Sequence, residues 1–171
     1  MIAIVVVDRS WAIGKDGALL FSLPADLRRF RSITQGGTVL MGRKTLESFP
    51  GGKPLPKRRN IVLTSGHLER EGIEVVHSPD ELRRAAAQEP QDRVFVIGGG
   101  SVYRALLPWC ERVLVTKVDA QADSPDTFFP DLDALPEWRI ESVGEPVTEN
   151  GVTYRFVDYG NQSVRAGRSG L

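Results

Sequence analysis

The stretch VFVIGGGSVYRALL, residues 94–107, runs from four apolar residues through a triple glycine into a segment with helical spacing. An apolar run without polar alternation fits a strand buried on both faces, as in a parallel sheet. The stretch TVLMGRKTLESF, residues 38–49, repeats the design with a single glycine turn. Strand followed by helix, used twice, argues for an α/β fold. IAIVVV (2–7) and NIVLTS (60–65) are further buried runs bounded by Gly, Pro or charge. Ser78-Pro79-Asp80-Glu81 predicts a capping box with proline at the first helical position, opening a helix through ELRRAAAQ. Pro24 likewise opens ADLRRFRS, where Leu27 and Phe30 share a face with Leu23, and Asp26 sits beside that face.

Toward the C-terminus, RVLVTKVD (112–119), WRIESV (138–143) and VTYRFVDY (152–159) read as strands with no helical signal between them. Asn150-Gly151 marks a tight hairpin turn, so the last two are expected to pair antiparallel on an otherwise parallel sheet. The expected fold is a single twisted, mostly parallel α/β sheet with flanking helices over residues 1–159. The polar segment GNQSVRAGRSGL, residues 160–171, is expected to be disordered.

A chain of 171 residues suits one domain with a real core. Lys plus Arg (22) balance Asp plus Glu (22), so no global basic field draws the chain to nucleic acid or an anionic membrane. No apolar run approaches the roughly 18 residues of a membrane span. The single cysteine, Cys110, cannot form an internal disulfide, and MIAIVVVDRS lacks the pattern of a signal peptide. A cytoplasmic location and a monomeric state are the expectations. Two histidines and one cysteine, none clustered, do not make a structural zinc site, so an organic cofactor is expected and a metal is not.

Three strand ends carry phosphate chemistry. Backbone N–H groups of Gly98, Gly99 and Gly100 could face a pyrophosphate, although Tyr103 breaks the GxGxxG pattern and disfavours a standard Rossmann site. Arg43, Lys44 and Thr45 follow Gly42, and Thr64-Ser65 close another strand. Each junction alone is equally a solvated turn; three at strand C-terminal ends favour a nucleotide. Asp26 is the only acid between Leu19 and Phe30, and a carboxylate among apolar residues is costly unless paired. It also reads as a first-turn acid favoured by the helix dipole. Arg58, in KPLPKRRN, is either a bidentate carboxylate clamp or an ordinary solvated arginine.

In this order the pieces resemble the dihydrofolate reductase family. The matching stretches are VVVDRSWAIGKDGALLFSLPADLRRF, VLMGRKTLESFPGGKPLPKRRNIVLTS, VFVIGGGSVYRALLP, VLVTKVDA and DTFFPD, which cover most of residues 2–131. The resemblance implies reduction of 7,8-dihydrofolate by hydride transfer from NADPH. It implies that Asp26, supported by the Thr116 hydroxyl, accepts paired hydrogen bonds from the pterin. Leu27, Phe30, Phe49, Leu55 and Ile97 would wall the pterin and aminobenzoyl rings, and Arg58 would hold the glutamate α-carboxylate. Arg43, Thr64 and Ser65 would meet the 2′-phosphate, and Lys44 with Thr45 the pyrophosphate. Gly98, Gly99, Gly100, Ser101 and Val102 would complete the cofactor cradle, with a cis Gly98–Gly99 peptide. Val6, Ile13 and Gly14 would flank the carboxamide, with Tyr103 near the nicotinamide. Residues 8–22 would form a mobile lid over the active site.

The chain departs from the family where Leu19-Leu20-Phe21 replaces the usual Leu-Pro-Trp. Phe21 lacks the indole N–H that would help fix a water beside the catalytic acid. Val6 replaces a common alanine, and Pro125 a frequent glycine before Asp126-Thr127. The altered lid and Val6 imply weaker binding of diaminopyrimidine antifolates. Two other readings stay open here. A reductase of the same fold acting on a riboflavin precursor has no need of Asp26 and Arg58, and a nucleotide-binding module without turnover would tolerate the altered lid.

Overall fold

The computed structural model describes residues 1–169. The chain lays down β1 (Ile2–Val7), β2 (Ala12–Lys15), β3 (Ala18–Leu19), α1 (Pro24–Thr34), β4 (Thr38–Gly42), α2 (Arg43–Ser48), β5 (Arg59–Leu63) and β6 (Ile73–Val76). It continues with α3 (Pro79–Ala87), β7 (Val94–Gly98), α4 (Gly100–Leu106), β8 (Arg112–Val118), β9 (Thr127–Phe128), β10 (Trp138–Val143), β11 (Val147–Glu149), β12 (Val152–Asn161) and α5 (Gln162–Ser169). The main sheet has the order β10-β12-β8-β1-β7-β4-β5-β6, with β11 also on β12. From β8 to β6 every pairing is parallel; β12 runs antiparallel to β8 and also to β10, the latter pairing as expected. β4, β5 and β6 step outward from β1, and the chain then returns to insert β7 between β1 and β4. Parallel strands put the ends of β1, β4, β5 and β7 along one edge, with the β7 glycines at the reversal, where open α/β sheets bind ligands.

Period-two alternation sorts the side chains into two cores. Ala3, Val5, Leu40, Val94, Val96, Val113 and Val115 join Leu82 of α3 and Leu106 of α4 on one face. Ile2, Val39, Met41, Phe95 and Leu114 face the other way with Leu46 of α2 and Ile33 of α1. Residues i and i+2 share a face, so Thr116 follows Leu114 onto the side covered by α1. Cys110 is fully buried and free.

Local chemistry explains the element ends. Ser78 accepts a hydrogen bond from the Glu81 backbone at 3.1 Å, and the Glu81 carboxylate accepts from the His77 backbone at 2.9 Å, so the expected cap forms. Asn150 and Gly151 both adopt positive φ, 52° and 75°, as a two-residue type I′ hairpin requires. That turn joins β12 to the short β11, while β10 pairs farther along the same strand.

The expectation of a disordered segment from residue 160 is corrected for the described part. Gly160 and Asn161 complete β12 and residues 162–169 are helical; the last two residues of that expectation lie outside the described residues. Asn161 Nδ2 donates to the Cys110 carbonyl and Arg165 bonds the Glu141 carboxylate, anchors that a composition reading weighs too lightly. The region expected as a lid carries strands of its own: β2 pairs with β3 and β9 in a second sheet.

Candidate active site

A cavity of about 290 Å³ opens between α1, α2 and the ends of β1 and β7. Its acid comes from α1. Pro24 fixes the first turn of that helix, and Asp26 falls on the side turned to the sheet, where Thr116 of β8 donates a hydrogen bond to its Oδ1 at 2.5 Å. Burial, the largest influence, pushes the Asp26 carboxyl above the ordinary aspartate value. The Thr116 hydroxyl and the Arg29 charge pull it down, and Glu149 pushes it up. The result is an acid whose proton is lost less readily than in water, held in a fixed direction at the cavity wall.

Leu27, Phe30, Phe49 and Ile97 line the same space, together with Val6, Ile13 and Gly14. Leu27 and Leu19 are largely exposed, at 56% and 73%, so the cavity presents an apolar mouth. Leu55 packs against the core beneath α1 and α2 instead. Arg58 lies just before β5, with its Nε buried and no protein hydrogen bond made to it among the described residues. Its guanidinium is held below the usual arginine range by burial first and by neighbouring Arg31 second. A half-buried guanidinium whose inner donor has no protein acceptor leaves that donor available to an acceptor from outside the chain. Asn60, which the sequence offered only as a strand start, braces this turn. Its side chain accepts from Leu55 N–H and donates to the carbonyls of Leu55 and Arg58, each at 2.9 Å.

At the β7 end the Gly98–Gly99 peptide is cis, and Gly98 has φ of 123°. The Thr45 hydroxyl approaches both glycines, and Lys44 lines the cavity beside it. Tyr103 reaches back from α4 to donate to the Ile4 carbonyl at 2.6 Å. Ser101 is exposed and Val102 is buried in the core, so neither side chain lies in the cavity wall. At the β5 end, Arg43 bonds Glu47 at 2.8 Å and the His67 carbonyl at 3.2 Å, and Thr64 Oγ1 accepts from Gly66 N–H at 3.2 Å. Ser65 is exposed next to them. The cluster lies outside the cavity wall, so a ligand engaging both must extend along the sheet edge.

Phe21 packs against Leu23, Val118 and Tyr154 and does not line the cavity. Thr127 of β9, which the sequence reading passed over, does line it, and a Cβ on Gly100 would come within 2.8 Å of its methyl carbon. The neighbouring Asp126 accepts from Asp16 N–H and the Thr127 hydroxyl, each at 2.8 Å, tying β9 to the β2–β3 turn. Between β1 and β2, buried Asp8 accepts from the backbones of Ser10, Ala12 and Ala122. Among the described residues no group of His, Cys, Asp and Glu is placed to hold a metal ion.

The family model for dihydrofolate reductase matches residues 1–161. A dihydrofolate reductase from Bacillus subtilis is 39% identical over 160 residues, 91% of each chain. Dihydrofolate reductase type 3 from Salmonella typhimurium is 39% identical over 152 residues, 88% of this chain and 91% of its own. Among solved structures, the Enterococcus faecalis enzyme complexed with NADP(H) superposes with a TM-score of 0.82 at 34% identity, covering 94% of this chain and 95% of that one.

Proposed function

The chain belongs to the dihydrofolate reductase family and reduces dihydrofolate with NADPH, and from that premise we propose how its residues divide the work. The observation that carries the proposal is a single acid, Asp26, fixed by Thr116 at the wall of an apolar cavity. A pterin presents N3–H and a 2-amino group side by side, a donor pair that one carboxylate accepts. Asp26 therefore orients the ring and favours the positive charge that grows on it during reduction. Leu27, Phe30, Phe49 and Ile97 hold the flat rings, and Arg58 takes the glutamate carboxylate. Asp26 orients and polarises the ring through these donors, and water delivers the proton to N5.

The donor set fits the cofactor. Arg43 and Thr64 sit together beyond the cavity for a 2′-phosphate, Lys44 and Thr45 stand nearer the glycines for a pyrophosphate, and Gly98 to Gly100 leave the backbone open to close approach. When bound, NADPH supplies the hydride that reaches C6 of the pterin. Val6, Ile13 and Gly14 form the wall that orders the nicotinamide end, and Tyr103 steadies it through Ile4. Proximity and a preset electrostatic field are the protein's contribution.

The same acid would accept the paired donors of a diaminopyrimidine antifolate, with Val6 in the wall it must pass. A lone buried Cys110 fits a reducing, cytoplasmic setting, and we read the working unit as a monomer. The test follows absorbance at 340 nm with dihydrofolate and NADPH. Asp26→Asn is expected to lose most turnover while keeping NADPH affinity, and unchanged turnover would overturn the assignment.

A further inference from the structure

The helix that carries Asp26 starts without a cap of its own. Leu23 stands at the N-cap and makes no side-chain bond, and Pro24 has no N–H. The first free donor is Ala25 N–H, and it is met from 124 residues away: Glu149 accepts it at 3.1 Å through Oε1 and 3.3 Å through Oε2. Glu149 ends β11 and precedes the Asn150-Gly151 turn, so a tight hairpin holds its backbone. A carboxylate on an unsatisfied helix-start N–H does the work normally done by a Ser or Asp cap.

We propose that Glu149 is a positioning residue for the reaction. By capping α1 from the β11–β12 hairpin, it fixes the first turn and with it the direction of the Asp26 carboxylate. This rests on the role of Asp26 proposed above and extends it to a residue of the C-terminal hairpin that does not line the cavity.

The surroundings make the role electrostatic as well as mechanical. Asp26 is faced by Thr116 from β8, by Arg29 within α1, by Glu149 from β11, and by the Tyr154 and Tyr103 phenols from β12 and α4. Arg29 is drawn away toward Asp158, at 3.9 Å, and lies over the Phe156 ring at 4.0 Å, while Arg28 acts on Tyr154. Glu149 is thus the carboxylate that opposes ionisation of Asp26, and Arg29 the cation that favours it.

Two variants separate cap from charge. Glu149→Gln keeps an oxygen for Ala25 N–H and removes the charge; Glu149→Ala removes both. With the carboxyl of Asp26 followed by carbon-13 NMR, Glu149→Gln is expected to move its titration, and the matching inflection in the pH profile of turnover, to lower pH. The dihydrofolate KM of this variant should stay near the wild-type value. Glu149→Ala is expected to raise that KM about five-fold, ~1 kcal/mol, with the NADPH Kd unchanged. A wild-type titration in Glu149→Gln together with a wild-type KM in Glu149→Ala would overturn the proposal, as would equal weakening of both ligands. If Glu149→Ala does not fold, the Glu149→Gln titration decides alone. Asp26→Asn is the control: its turnover failing to drop would remove the reading of Asp26, whereas a large drop there beside silent Glu149 variants removes only the inference about Glu149.

Discussion

The Thr116 hydroxyl donates to Asp26 Oδ1 at 2.5 Å across 90 residues of chain, joining the middle of the sheet to the first turn of α1. Both partners are set by periodicity: Thr116 follows Leu114 onto the α1 face, and Asp26 falls one turn before Phe30 on the helix. The bond occupies one acceptor site of Oδ1 and fixes the plane of the carboxylate, leaving sites on both oxygens for a ligand's paired donors.

Asp26→Asn preserves the acceptor for Thr116 and removes the charge. Steady-state turnover at neutral pH is expected to fall about 10²-fold or more, the scale of losing one preset electrostatic contact in a transition state. Wild-type turnover in this variant would sink the mechanism.

The same substitution should stabilise the protein. Burial raises the Asp26 carboxyl in the folded chain. Between the ordinary aspartate value and that raised value, the folded chain holds a proton the unfolded chain has released, so stability falls as pH rises across the interval. Above it, the ionised acid is a standing cost. Thermal denaturation should give Asp26→Asn a higher Tm than wild type at neutral pH, and the difference should vanish once the pH drops below the ordinary aspartate value. A lower Tm at pH 7 would mean the carboxylate is stabilised in place.

Arg58→Ala is expected to weaken dihydrofolate binding by roughly 1.5–3 kcal/mol, the range for a lost charged hydrogen bond. NADPH binding should be unaffected. Because Arg58 Nε is buried without a protein partner, the Tm should hold or rise. Isothermal titration with each ligand reads the first two effects; an unchanged dihydrofolate affinity would put the carboxylate elsewhere.

Much of this site was legible because it hangs on strand ends and a helix start, where local sequence dictates geometry. Gly42, Gly98 and Pro24 mark the junctions, and the apolar runs before them fix which edge they share. Thr127 and Glu149 were not legible. Each lies in a two- or three-residue strand whose place is set by pairing with distant chain, β2 for Thr127 and β12 for Glu149. Asn60 escaped for a different reason: a polar residue at a strand start is ordinary until its three bonds around Leu55 and Arg58 are seen. The region from residue 160 was misjudged because its anchors are long-range polar contacts that carry no periodicity.

Arg43 stands beside Thr64 and the Gly66 backbone at the β5 end, held by Glu47 and the His67 carbonyl. Arg43→Gln should cost about tenfold or more in NADPH affinity, the equivalent of a charged hydrogen bond. NADH, lacking the 2′-phosphate, should bind this variant as it binds wild type. The ratio of the two kcat/KM values is the measurement. A retained preference for NADPH would move the phosphate to other residues.

Gly100 is small because of Thr127. A Cβ there would meet the Thr127 methyl at 2.8 Å, closer than carbon atoms approach, with the Arg104 guanidinium at 3.4 Å on another side. Relief requires the Thr127 side chain to turn, at the expense of its bond to Asp126, or β9 to shift against its partner β2. Gly100→Ala is therefore expected to destabilise the fold by about 1–3 kcal/mol, the usual cost of overpacking, and to weaken NADPH binding. Thr127→Ser deletes only the offending methyl and keeps the hydroxyl that donates to Asp126 at 2.8 Å. Alone it should behave like wild type, and in the double variant it should restore most of the lost affinity, a coupling that residues without contact do not show. Strictly additive effects in that cycle would mean that Gly100 and Thr127 act independently of one another.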